Sequence, residues 1–203
     1  AISMIQTADG AMVEVSNMLQ RMRELAVQAA TGTNGTADIA ALDTEFDALL
    51  DQIDSIATGT TWNGSQVFAQ GSDISKDFQV GANAGQTISV AIAGMGIASL
   101  GISAVSIGTV ADAQEAVSAL DDAISVLNTR RSIIGAGINR LTHAIDNLTN
   151  VAQNASESRS RVTDTDYATA TSELARTQII QQAATAILAQ ANQQPQMVLS
   201  LLK

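Results

Sequence analysis

The chain has 203 residues, 46% of them hydrophobic, yet only five are aromatic and one is proline. Compact cores lean on large rings for buried area, so Ala, Ile, Leu, Val and Met at this aromatic content suit thin helix–helix seams rather than one thick globule. A formal charge of −10 argues against nucleic acid or an anionic membrane surface, and the lack of cysteine removes disulfides and thiolate chemistry.

The first predicted element carries apolar residues at Ile5, Ala8, Met12, Val15, Leu19, Met22, Ala26 and Ala29. Spacings alternate between three and four, the stripe of one helix face. Thr31-Gly-Thr-Asn-Gly35 breaks it. A second stripe runs through Ile39, Leu42, Phe46, Leu49, Ile53 and Ile56, with Asp38 as a cap or first-turn anion and Gly59 as its end. The two form an antiparallel helical hairpin.

Beyond Gly59 the period changes. Asn63-Gly64 signals a tight turn, and 78–80 with 87–92 read as a small β-hairpin. Residues 93–110 are Gly/Ser/Ile-rich and read as loop, with room for one short strand. A third helical stripe takes Val117, Leu120, Ile124, Leu127, Ile134, Leu141, Ile145, Leu148 and Ala152, skipping a step at Arg131. From 111 to 158 it would be about 70 Å long at 1.5 Å per residue. Gly135 and Gly137 inside it suggest close helix–helix approach or a slight kink. After a polar joint at 159–166, an Ala/Gln/Ile-rich helix runs to about Gln193. The expected fold is mainly α: an elongated rod of long antiparallel helices with coiled-coil-like packing, a β-hairpin region and a C-terminal tail helix. The division is 1–58, 59–111, 112–160 and 161–203.

Catalytic signals are missing. His143 has no second histidine at metalloprotease spacing. Asp43, Asp47, Asp51 and Asp54 share one helical face without the turn a calcium loop needs, and read as a solvated acidic face. Gly94-Met-Gly96 lacks the lysine and βαβ setting of a phosphate loop. Tyr167 has no evident base, and the four Asn-x-Ser/Thr tripeptides read as chance. No nucleophile, base and orienting group assemble, so neither an enzyme nor a cofactor or metal site is indicated. No run of eighteen apolar residues exists, so membrane insertion is not expected.

Interaction surface remains, and there the chain is specific. Leu19-Gln-Arg-Met-Arg-Glu-Leu-Ala-Val-Gln-Ala29, Trp62-Asn-Gly64, Arg131-Ser-Ile-Ile-Gly135, Asn139-Arg140-Leu, Asp166-Tyr-Ala168, Gln178-Ile-Ile-Gln-Gln-Ala183, Leu188-Ala-Gln-Ala-Asn192 and Val198-Leu-Ser-Leu-Leu202 together resemble the bacterial flagellins. The likeness covers nearly the whole chain and is weak over 69–110. It implies a secreted subunit of the extracellular flagellar filament that self-assembles after export and drives motility.

Implied partners are other flagellin subunits, an export chaperone, filament cap and junction proteins, and a host Toll-like receptor. The family's receptor motif maps onto Gln20, Arg21, Leu25, Gln28 and Glu45. Polymerisation and chaperone contacts map onto Leu174, Ile179, Ile180, Ala183, Ile187, Leu188, Val198, Leu199, Leu201 and Leu202. Pro195 is expected to break or bend that tail. Measured against the family, the chain is expected to lack an N-terminal polymerisation segment and the variable outer domain. This form is therefore expected to polymerise poorly alone. Alternatives are a hook–filament junction protein, or a secreted adhesin or ligand-binding module on a helical stalk.

Overall fold

The eight-position stripe of the first segment becomes the buried face of helix α1 (Ile2–Ala29) in the computed structural model, which describes residues 1–69, 74–164 and 166–201. All eight residues are buried, joined by Met4 and Leu25. Helix α2 (Thr36–Gly59) returns antiparallel after the Gly-rich break. Its first turn is held by Asp38, whose carboxylate accepts the Gly35 N–H at 3.2 Å, the capping role expected of that residue. The α2 seam uses Ile39, Phe46, Leu50, Ile53 and Ala57, while Leu42, Leu49 and Ile56 are half-buried beside it.

Two antiparallel pairs follow. Strands β1 (Thr61–Trp62) and β2 (Ser65–Gln66) flank Asn63-Gly64, whose φ values of 50° and 77° are those of the tight hairpin turn. Strands β3 (Ile74–Gln79) and β4 (Thr87–Ile92) pair in the register Phe78↔Ile88, Lys76↔Val90 and Ile74↔Ile92. Val90 and Ile92 are buried and half-buried Phe78 and Ile88 pack beside them, so one face of the pair joins the core.

Residues 93–110 hold no strand; they contain the short helix α3 (Ile97–Leu100). Gly101 at φ 75° closes it, and the Ile102 N–H donates to the Ile97 carbonyl at 3.0 Å. Such a glycine-capped turn needs only a few residues and leaves no periodicity to read. Thr109 starts helix α4 (Val110–Thr163) by accepting the Asp112 N–H and donating to its carboxylate.

The buried positions on α4 are Ala113, Ala116, Leu120, Ala123, Leu127, Ile134, Gly137 and Leu141. Antiparallel packing against α1 is fixed by two ion pairs, Arg23–Asp121 at 2.6 Å and Arg131–Asp9 at 3.0 Å. Arg131 occupies the skipped heptad step, and its neighbour Arg130 donates to the carbonyls of Gly94 and Ser99 and ties the α3 loop to α4. Asp43 of α2 accepts the Ile107 N–H, so that acidic side chain anchors the loop while Asp47, Asp51 and Asp54 stay exposed.

The two α4 glycines do different things. A Cβ at Gly137 would lie 2.9 Å from Val90 Cγ1, so close approach is to a strand rather than another helix. A Cβ at Gly135 would meet nothing within 4 Å. Gly135→Ala is therefore expected to stabilise by about 0.5–1 kcal/mol. Gly137→Ala should destabilise by about 1–2 kcal/mol, because β-branched Val90 cannot swing aside. Chemical denaturation of both variants checks the opposite signs.

The chain divides into two compact units, Ala1–Thr149 and Asn150–Lys203. The second holds the end of α4 and helix α5 (Tyr167–Leu201). Helix α5 extends past Gln193 and is not broken at Pro195. One proline removes one internal hydrogen bond, and a helix carried by good formers on both sides kinks before it ends. Among the described residues no helix is long and apolar enough to cross a membrane.

Candidate interaction surfaces

Arg21 lies on the solvent face of α1, where its guanidinium donates to Glu45 of α2 at 2.9 and 2.7 Å and to Glu24 at 3.2 Å. Those bonds, Glu45 foremost, hold the Arg21 pKa above its ordinary value. Gln20, Gln28 and Glu45 are exposed with it, and Arg21 and Gln28, seven apart, share a helical face. Leu25 does not belong to that surface. It is 0% exposed and part of the core, because α1 packs against both α2 and α4 and so buries a stripe wider than one seam. Of the five positions that the resemblance maps to a receptor, four are thus exposed and the fifth, Leu25, is buried beneath them.

The second surface is α5. Leu174, Ile179, Ile180, Ile187 and Leu188 are each more than half exposed, and Ala183 is exposed too. Ile179, Ala183 and Ile187 recur every four residues on one face with Ile180 at its edge. Leu188 and then Leu174 carry the apolar surface further round the helix, roughly 80° and 120° beyond Ile180. A helix apolar on two sides belongs inside a bundle. The side chains of Val198, Leu199 and Leu201 lie outside the described residues, as does Leu202 altogether.

Helix α5 starts at a well-made cap. Asp166 accepts the backbone N–H groups of Ala168 and Thr169 and the Thr169 hydroxyl. The Thr169 hydroxyl foremost, then the backbone donors, hold the Asp166 pKa below its ordinary value. A depressed carboxylate pKa contributes stability above the unfolded value, near 3.9, that is lost as pH falls through the folded one. The first turn of α5 is expected to fray in that acid window and to fray at neutral pH in Asp166→Ala. Amide exchange at Thr169 reads both.

No catalytic group emerges to compete with these surfaces. His143 is exposed on α4, and among the described residues no three His, Asp or Glu side chains converge as a metal site would require. An open hollow beside the start of α4 is lined by Asp112, Glu115 and Asp122 with small residues, without a nucleophile and base in partnership.

Comparison with known proteins shows which family the chain belongs to. The family model for the bacterial flagellin N-terminal helical region matches residues 1–73, and that for the C-terminal helical region matches 117–202. A flagellin of Halalkalibacterium halodurans is 42% identical over the whole chain, which covers 75% of that protein. The chain belongs to the bacterial flagellin family. An Escherichia coli flagellin is 48% identical over 89 residues, 44% of this chain but only 16% of the relative. The crystal structure of Bacillus cereus flagellin matches with a TM-score of 0.61 and 32% identity, covering 75% of this chain and 90% of that one.

As a flagellin, the chain is a structural subunit of the extracellular flagellar filament, polymerises with other flagellin subunits and is not an enzyme. Nothing observed favours the junction or adhesin alternatives.

Proposed function

We propose that α5 is the segment through which this flagellin polymerises, and that an export chaperone covers the same segment beforehand. The observation that carries this reading is the apolar surface of α5, exposed round more than half of the helix along Leu174 to Leu188. Such a helix is marginal in water by itself and gains stability only by packing. One-sided docking on the Ile179 face would leave Leu174 and Leu188 in solvent, whereas a helical polymer surrounds the helix. A helical chaperone that wraps it would keep subunits apart until export, with secretion and capping following at the filament tip. In this scheme 1–58 and 112–160 are the rod, 59–111 its β region and 161–203 the polymerisation tail.

A density map of the filament formed by the full-length protein tests the reading. Residues 167–193 should be enclosed by neighbouring subunits, and a map with α5 facing solvent would contradict it.

The patch around Arg21 suits a second partner, the host Toll-like receptor. Arginine flanked by exposed glutamines and a carboxylate offers charge-assisted hydrogen bonds of the kind that anchor interfaces. Arg21→Ala is expected to weaken receptor binding by about tenfold with helicity unchanged. Equal affinity of variant and parent, measured on the purified receptor ectodomain, would remove Arg21 from the contact.

A further inference from the structure

We propose that Asn63 is a site of spontaneous deamidation, selected by local structure over a second Asn-Gly dipeptide and over an Asp-Gly dipeptide that would isomerise, with loss of water, through the same succinimide. Asp9-Gly10, Asn34-Gly35 and Asn63-Gly64 each place a side-chain carbonyl next to an unhindered glycine amide. In the reaction the Gly64 nitrogen loses its proton to solvent base and attacks Asn63 Cγ. The Cγ–Nδ2 bond breaks, ammonia leaves and a five-membered succinimide remains. Water then adds to one of its two carbonyls, leaving aspartate or isoaspartate at position 63. Overall, amide and water become carboxylate and ammonium, with no oxidant or enzyme required.

The three sites differ in what must be undone before that attack. Gly10 lies inside the 28-residue helix α1, and Asp9 is tied to Arg131 at 3.0 Å. Freeing that backbone means opening the helix against α4. At Asn34 both reacting partners are engaged. The side-chain amide donates to the Gln28 carbonyl at 2.6 Å, and the Gly35 N–H donates to Asp38 at 3.2 Å. Gly35 also accepts the Asp38 and Ile39 N–H groups as the N-cap of α2, so attack there unwinds the first turn of a long helix.

Asn63 has none of these restraints. It is exposed at the tip of a hairpin whose two strands are two residues each and solvent-exposed, and among the described residues no partner holds its amide. Its φ of 50° is the left-handed conformation that Asn tolerates, and only the short β1–β2 pairing holds the turn closed. Short, exposed, sparsely bonded segments open at low free energy. The dipeptide that is freest in the fold is the one able to reach the geometry of attack.

The change matters locally. Isoaspartate inserts a methylene into the main chain of a two-residue loop, just ahead of Val67 and Phe68, which are fully buried. It also adds a negative charge to an already acidic chain. A subunit carrying isoaspartate is therefore expected to lose the register that seats those two side chains, whereas one carrying aspartate keeps it.

Peptide mapping by mass spectrometry of the intact chain, held native at mildly alkaline pH, reads all three sites together. Isoaspartate at position 63 should form at least about tenfold faster than modification at 34 or 9, reflecting their higher opening free energies. In denaturant the two asparagines should react at similar rates, and Asp38→Ala should raise the rate at Asn34 alone. Equal native rates at 34 and 63 would overturn the proposal. So would a preference for 63 that persists in denaturant, which would place its origin in sequence context rather than in the fold.

Discussion

Replacing Ile179 and Ile187 together by aspartate is expected to abolish filament formation while leaving the Ala1–Thr149 unit folded. Both side chains are 66% exposed in the single chain and share one face of α5. Free in solution, the two carboxylates cost nothing there. Enclosed between subunits they would be unpaired charges in an apolar seam, a penalty of several kcal/mol for each subunit added. Electron microscopy of cells carrying the variant should show no filaments, with melting of the first unit unchanged. Normal filaments would remove this face from the polymer contact.

The second large effect separates core from surface in the receptor motif. Leu25 is 0% exposed, so Leu25→Ala should destabilise the first unit by about 2–5 kcal/mol through lost burial and the cavity left behind. Arg21 stands one turn away on the solvent side, and its replacement should leave the unfolding midpoint nearly unchanged. Any receptor defect of Leu25→Ala should then track its unfolded fraction. A variant with parental stability and lost binding would return Leu25 to the contact surface.

These two cases show which parts of the fold were legible in the sequence. The α1 stripe was read position by position, because alternating threes and fours in Ile, Val, Leu and Met have no other helical explanation. Leu25 and Met4 escaped because a single-seam pattern does not reveal a helix packed on two sides. On α4 the reading favoured Val117 and Ile124, which are half-buried, over Ala113, Ala116 and Ala123, which are buried. Large side chains weigh most in a hydrophobic pattern, whereas closely packed helices put small ones at the seam.

The β region was visible through Asn63-Gly64 and the alternation from Ile88 to Ile92. The α3 turn was not, since its signal is two glycines five residues apart. The tail was legible as apolar but not as two-faced. That distinction depends on which side each residue takes, and apolar residues spread widely round a helix leave no single stripe to read.

Hydrogen exchange on α5 tests the central claim most directly. In the free subunit, amides of residues 170–193 should exchange quickly, far faster than those of 115–141, whose helix face is locked in the core. In the filament, or with the export chaperone bound, the same tail amides should become protected. Full protection of 170–193 in the free subunit, equal to that of 115–141, would contradict the assignment of α5 as the unpartnered polymerisation helix.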